Sequence, residues 1–134
     1  MGLHEAIFDR LSNHAGLTAL VGAAANARIY PDEAPPGVAR PYIVFWQPGD
    51  ENHHLSGSDA GIVTARLQFD CYDEDQDDAR AVGAQVVAAL SRYGGTHAGV
   101  VIQTIFIENR FDGVEDDTRL KVRVIDTIVW YEGT

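Results

Sequence analysis

The segment Val63-Thr-Ala-Arg-Leu-Gln-Phe-Asp-Cys-Tyr72 carries the clearest structural pattern in this chain of 134 residues. Its apolar residues occupy every second position, namely Val63, Ala65, Leu67, Phe69 and Cys71. A period of two is typical of a β-strand with one buried face, while the other face meets water or a partner. The segment therefore predicts a half-buried strand.

A helix is predicted directly after this strand. Asp73–Asp78 is strongly acidic, apolar residues then recur at helical spacing from Ala79 to Tyr93, and Gly94 and Gly95 follow. Acidic side chains are favoured in a first helical turn because its amide groups are exposed and the helix dipole is positive there. The acidic run thus has a structural explanation of its own.

Working outward, the remaining periodic segments predict one more main helix and four more strands. Apolar residues at three- and four-residue spacing from Leu3 to His14 predict an amphipathic helix. A short helical turn is expected over Leu17–Val21. Strands are expected at Arg28–Tyr30, Tyr42–Trp46, Val100–Ile107 and Leu120–Tyr131.

The last of these strands has one apolar and one polar face by its alternation. The apolar face comprises Leu120, Val122, Val124, Ile128 and Trp130, and the polar face comprises Lys121, Arg123, Thr127 and Tyr131. Asp126 interrupts the apolar face, which indicates a bulge or a polar contact at an interface.

Two polar segments are predicted to be exposed loops. Gly49–Gly61 has no periodicity, and Asn109–Thr118 contains Asp112-Gly113, a dipeptide typical of hairpin turns. The chain is short enough to form one domain over residues 1–134. The predicted fold class is α+β, a mostly antiparallel sheet of four to five strands with two helices packed on one face.

Charge and composition argue against nucleic-acid binding, a membrane span and an internal disulfide, and the formal net charge is −10. An acidic surface repels nucleic-acid phosphates and anionic lipids, and the scattered arginines form no basic run, so direct sequence-specific nucleic-acid binding is not expected. No apolar stretch approaches the ~20 residues of a membrane span. Cys71 is the single cysteine, which excludes an internal disulfide.

Residues suited to catalysis or metal binding are sparse. His53 and His54 are adjacent, point in opposite directions on an extended segment, and have no spaced His or Cys to complete a metal site. Neither acidic cluster matches a calcium loop. No enzyme activity, cofactor or metal is expected, although a metal-dependent hydrolase centred on the two histidines remains an alternative hypothesis.

Several segments together resemble the tail-terminator or tail-completion family of long-tailed, siphovirus-type bacteriophages and gene transfer agents. The segments that carry the resemblance, in order, are Leu17–Gly22, Arg28-Ile-Tyr-Pro31, Arg40-Pro-Tyr-Ile-Val-Phe45, Ala65–Tyr72, Ala79-Arg-Ala81 and the closing Arg123–Tyr131 with its terminal aromatic pair. The connector Ala23–Ala27 is longer than the family's usual step from glycine to Arg-Ile-Tyr.

This resemblance implies a structural protein that forms a homo-oligomeric ring, usually a hexamer. Such a ring terminates the tail tube and joins it to a head-completion or stopper protein at the head-tail junction of a phage or phage-like particle, assembled in the bacterial cytoplasm. The partners implied are further copies of the chain, the tail tube protein and the head-side protein, with DNA passing through the ring. The alternative is a dimeric, small α+β ligand-binding or regulatory module.

Site residues follow from the two polar segments and the polar strand phases. Candidates for contact with neighbouring subunits or partners are His53, His54, Leu55, Arg66, Tyr72, Arg110, Phe111, Asp112, Arg123 and Tyr131. Candidates for lining the bore, where negative charge would repel passing DNA, are Asp75, Asp77, Asp78, Glu115, Asp116 and Asp117.

Overall fold

The computed structural model describes residues 2–55 and 58–132, and the side chains of residues 49–61 lie outside that description. The helices are α1 (Leu3–Ser12), α2 (Ala15–Val21) and α3 (Gln76–Leu90), with a 3-10 turn at Ala24–Asn26. The strands are β1 (Ile29–Pro31), β2 (Tyr42–Leu55), β3 (Ser58–Asp73), β4 (Gly95–His97), β5 (Val100–Val114) and β6 (Lys121–Glu132). No helix in this described part is long and apolar enough to cross a membrane.

The strands form one sheet in the order β1-β2-β3-β6-β5-β4. Each long strand pairs antiparallel with its neighbour, and only the short β1 runs parallel, to β2. The α+β class and the mostly antiparallel sheet are confirmed. The described chain has six strands rather than four or five because β4 spans only three residues, too few to show a period.

The helices cover one face of the sheet and bury the predicted face of β3. Ala65, Leu67, Phe69 and Cys71 are essentially inaccessible to solvent. Phe69 lies opposite Phe45 of β2, with their rings stacked at a centroid distance of 5.6 Å. Full burial of such a side chain contributes roughly 1.5–3 kcal/mol, so this face holds the helices to the sheet.

The apolar and polar faces of β6 are placed differently from what its alternation indicates. Ile125, Thr127 and Val129 are buried beneath the helices, and the buried Thr127 hydroxyl donates to the Leu67 carbonyl at 2.9 Å. The apolar face with Val124 and Ile128 lies on the opposite side of the sheet. A period of two separates two faces, but it does not reveal which one the helices cover.

The predicted loop Gly49–Gly61 is wrong for most of its length. β2 continues through this segment to Leu55 and pairs with the start of β3 as far as the Leu55 to Ser58 pair. We call Gly49–Leu55 with Ser58–Arg66 the arm. Strand pairing is made by backbone groups, which every residue has, so the polar segment from Gly49 can pair without apolar alternation. A register shift occurs between Trp46 and Gly49, and Pro48, which has no amide hydrogen to donate, is tolerated at this irregularity.

The second predicted loop, Asn109–Thr118, is also shorter in the structure. β5 extends to Val114, and Asp112 and Gly113 pair with Arg123 and Val122 of β6 instead of forming a turn. Residues 115–120 make the connection, closed by the Glu115 amide donating to the Leu120 carbonyl at 2.9 Å. Cross-strand partners have therefore overridden the local turn preference of Asp-Gly.

Candidate interaction surfaces

The sheet face opposite the helices, which we call the open face, exposes large apolar side chains. Trp46, Phe106 and Phe111 are 36%, 38% and 45% exposed. The register puts Phe106 beside Ile128 and Phe111 beside Val124. The three aromatic side chains stand on separate parts of the open face, and each is a candidate contact for a partner protein.

The open face also carries charged groups that are partly desolvated. Gln68 donates to the Asp70 carboxylate at 2.9 Å, and Gln68 lies opposite Asp126 on β6. Burial raises the pKa of Asp70 and of Asp126, and the positive charge of Arg66 opposes the rise in the pKa of Asp126. Arg66, a predicted contact residue, is thus exposed beside a carboxylate of its own sheet.

Tyr72, another predicted contact residue, forms one wall of a cleft at one end of the open face. Its ring stacks on Tyr42 at a centroid distance of 5.0 Å, beside the buried Leu120. The cleft has a volume of about 380 Å³ and is lined in part by Pro35, Pro36 and Glu115. Burial raises the pKa of Tyr72, and the neighbouring carboxylates raise it further.

The structure brings the two acidic clusters to the same end of the molecule. Asp73, the first residue of the acidic run before α3, pairs with Lys121, which follows the second acidic run closely. Asp75 caps α3 by accepting the Asp77 amide at 3.1 Å. Glu115 accepts the hydroxyl of Thr118 at 2.6 Å. We call this the acidic end, and its remaining members Asp78, Asp116 and Asp117 are exposed.

Two of the predicted contact residues belong to an ion-pair network within the subunit. Asp112 accepts from Arg80 of α3 at 2.6 Å and from Arg123 of β6 at 3.0 Å. The hydrogen bond from Arg80 lowers the pKa of Asp112. The network ties β5 and β6 to α3, so Asp112 and Arg123 have an internal structural role.

The other predicted contact residues fall into three groups. Arg110 and Phe111 are exposed on β5. Tyr131 is partly buried and packs against the main core. The side chains of His53, His54 and Leu55 lie outside the described residues, although their backbone belongs to the arm.

Sequence reasoning missed a hydrogen-bonded chain that links α1 to β4. His97 contacts the Asp9 carboxylate through Nδ1 at 2.6 Å and the Tyr93 hydroxyl through Nε2. Arg10 lies 3.9 Å from the centroid of the Tyr93 ring and donates to the Ala89 carbonyl. These groups are up to 88 residues apart in sequence, so no local pattern could indicate the contact.

This chain does not gain a nucleophile from the cysteine, because Cys71 is buried in the core and burial raises the pKa of its thiol. A separate cleft of about 450 Å³ lies beside α1, and its lining is largely apolar and includes Phe8, Ile29 and Phe45. Within the described residues, no group of three or more His, Cys, Asp or Glu side chains could hold a metal ion.

Both borders of the sheet are incompletely covered. β1 pairs with β2 only at Ile43–Phe45, and β4 pairs with β5 only at Val100–Ile102. Over the rest of their length, β2 and β5 have a pairing strand on one side only within the described chain. Unpaired edges of this length are ready to accept another strand.

Comparisons with known proteins give one family and one fold. The family model described as tail completion protein gp17 matches residues 5–132. A solved chain from the virion of a native gene transfer agent particle is 18% identical, has a TM-score of 0.74, and is matched over 98% of this chain and 95% of that one. A second solved chain is 13% identical with a TM-score of 0.61, and is matched over 98% of this chain and 94% of that one. No curated protein matches the sequence.

Proposed function

This chain belongs to the tail completion protein gp17 family, and on that premise we propose that it forms a homo-oligomeric ring, of six copies, that terminates the tail tube and joins it to the head-side connector. Family membership makes it a structural protein of the tail in a phage or phage-like particle. The ring, its copy number and its terminating role are the proposal.

The observation that carries the proposal is the incomplete coverage of the sheet at both borders. β2 and β5 each offer an unpaired edge, and these edges lie on opposite sides of the same subunit. A ring subunit needs two different lateral surfaces that complement each other, because a repeated heterologous contact closes at a fixed rotation. A dimer formed by one self-complementary patch would leave the second edge bare.

The open face supplies a further surface for partners along the tail. Its exposed aromatic residues, Trp46, Phe106 and Phe111, would be partly covered by segments of partner proteins that reach this wall of the ring, such as segments of the tube protein or the head-side protein. The fold of the chain in the gene transfer agent virion supports this setting, since that protein is part of an assembled particle. The role proposed for this chain is therefore binding and assembly, without catalysis or a cofactor.

The acidic end lies at the ends of β3 and β6 and therefore fits a position at the mouth of the bore. Asp78, Asp116 and Asp117 are exposed there, and the chain as a whole carries a net charge of −10. Negative charge on the wall of a channel repels DNA phosphates and keeps the strand from sticking. A ring that carried these acids on its outer rim would remove this part of the proposal.

Light scattering on the purified chain, alone and mixed with tail tube protein, tests the ring. We expect a species of six times 14.6 kDa in at least the mixture, because docking on the tube aligns the lateral edges. A monomer or dimer under every condition would overturn the ring and favour the dimeric binding module.

A further inference from the structure

We propose that copies of this chain join by sheet addition: the free edge of the arm in one copy pairs antiparallel with the free edge of β5 in the next copy. The inference rests on the ring of the proposed function and names the strands that close it.

The first half of this contact is the outer edge of the arm. β1 covers β2 only at Ile43–Phe45, and the amide of Asp32 continues that cover by donating to the Phe45 carbonyl at 2.8 Å. From Gly49 to Leu55, β2 pairs with β3 on its inner side and with no other strand in the described chain. Each second residue there has amide and carbonyl groups that face outward.

The second half is the outer edge of β5. Beyond β4, the Arg92 amide donates to the Ile105 carbonyl at 2.7 Å, which is the last backbone cover that the described chain gives this edge. Farther along, the Arg110 amide donates to the side chain of Asn109 at 2.9 Å, so it points away from β6. Within the described residues, the edge from Ile107 to Val114 therefore has no pairing strand on its outer side.

The β5 edge has only part of the protection that keeps a natural edge strand from pairing. It does carry charged residues and a register shift between Ile107 and Asn109, but Phe111 and Val114 are 45% and 43% exposed and the strand has neither proline nor lysine. The network of Asp112 with Arg80 and Arg123 holds this half of β5 against its own subunit. An exposed and anchored edge strand without proline is a template for another strand.

The directions of the two strands suit the pairing. β2 is antiparallel to β3, β3 to β6, and β6 to β5, so β2 and β5 of one subunit run in opposite directions. Rotation about an axis leaves the axial component of each strand unchanged. An arm placed beside the β5 of its neighbour therefore makes an antiparallel pair, the pattern used between the long strands of the subunit itself.

The positions of the two edges along the ring axis suit a closed ring when the strands are tilted relative to that axis. Asn52 at the middle of the arm is level with Tyr131, by way of Val63, and Arg110 is level with Ile125. Tyr131 and Ile125 are six residues apart, about 20 Å at ~3.3 Å per residue, and four strands span about 19 Å at ~4.8 Å each. Pairing without axial displacement then needs a tilt of about 45°, at the upper end of the range of closed barrels.

A second copy fits these edges better than any other single occupant. The two free edges have similar lengths and opposite positions on one sheet. A closed ring of copies covers both edges in every subunit, whereas a bound peptide or a tube protein at one edge would leave the other exposed.

Arg110→Pro tests the pairing, with Arg110→Ala as its matched control. Both variants lose the guanidinium, but only proline removes the outward amide, and edge strands tolerate proline at such a position. Under the conditions in which the wild type forms its ring, we expect Arg110→Ala to keep the ring and Arg110→Pro to release folded monomers with a circular dichroism spectrum like that of the wild type. A ring retained by folded Arg110→Pro, or lost equally by Arg110→Ala, overturns the inference.

A mixed cross-linking experiment covers the case in which Arg110→Pro fails to fold. Chains carrying Asn52→Cys and chains carrying Arg110→Cys are co-expressed and treated with a short bismaleimide, and native Cys71 stays unreactive because it is buried. We expect cross-linked dimers in the mixture and none from either variant alone. Cross-links within a single-variant sample, or none in the mixture, contradict the heterologous pairing.

Failure of this inference can be told apart from failure of the proposed function. If the wild-type chain forms a ring but neither experiment behaves as expected, the ring stands and its contact lies elsewhere. If the wild-type chain forms no ring even with tube protein, the proposed function itself has failed, and this inference fails with it.

Discussion

Two aspartates on neighbouring strands show how position decides the effect of a single charge. Asp112 accepts hydrogen bonds from Arg80 and Arg123, and the bond from Arg80 lowers its pKa. Asp126 lies on the open face, where burial raises its pKa despite the opposing charge of Arg66. Compared with the unfolded chain, the folded state therefore makes Asp112 easier to ionise and Asp126 harder to ionise.

These shifts predict opposite effects of Asp→Asn at the two positions. At pH 7, Asp126→Asn should raise the free energy of unfolding because it removes a desolvated charge, and the gain should vanish as pH falls through the raised pKa to below its ordinary value of 3.8. Asp112→Asn should lower the free energy of unfolding at pH 7, and the loss should vanish as pH falls through the lowered pKa. Denaturant unfolding of both variants from pH 7 to pH 3 measures this; effects of the same sign would contradict it.

Residue-level reasoning from the sequence found charges but not their partners. Asp112 and Arg123 are predicted as contact residues because they lie on polar segments, yet they pair with each other, and Asp112 also pairs with Arg80 of α3. The link between Asp9 and His97 joins residues 88 positions apart. Partners brought together only by folding leave no local signal in one sequence.

At the scale of elements, α3 begins with a cap that gives part of the acidic cluster a structural role. The side chain of Asp75 accepts the Asp77 amide at 3.1 Å, which satisfies one of the free donors of the first turn. Asp78 lies in the same turn without this cap contact.

This difference predicts unequal effects of alanine in the cluster. Asp75→Ala should lower the free energy of unfolding by about 1 kcal/mol, the typical value of an N-cap. Asp78→Ala, which loses only a charge near the helix dipole, should cost roughly 0.3–1 kcal/mol, at the lower end in salt. Urea unfolding in salt compares the two variants, and equal losses would show that the cap contact does not stabilise α3.

Elements with a strong period were predictable, and those held by pairing alone were not. The alternation of β3 and the helical spacing of α1 and α3 reflect burial of one face, which sequence records directly. The part of the arm within Gly49–Gly61 is polar and has no period, so it has the composition of a loop although its backbone pairs as a strand. The faces of β6 show the same limit, since apolar residues occur on both.

At the scale of the whole molecule, the fold separates its surfaces by task. The helices cover one face of the sheet, the other face displays aromatic residues, and the two borders offer unpaired strands. The acidic residues gather at one end. A subunit of this design has one kind of surface for lateral copies, the sheet borders, and separate surfaces, the open face and the acidic end, that remain for other partners.

The family could be recognised from the sequence because short segments occur in a fixed order along nearly the whole chain, and the match over residues 5–132 confirms it. The contacts between copies could not be read in the same way. They depend on where the sheet ends in space, which follows from the short reach of β1 and β4.

Cryo-electron microscopy of particles containing this chain tests the central claim most directly. We predict one closed layer of six copies at the head-side end of the tail tube, with β5 of each copy beside the arm of the next. A single copy per particle, or copies located away from the end of the tube, would contradict the claim.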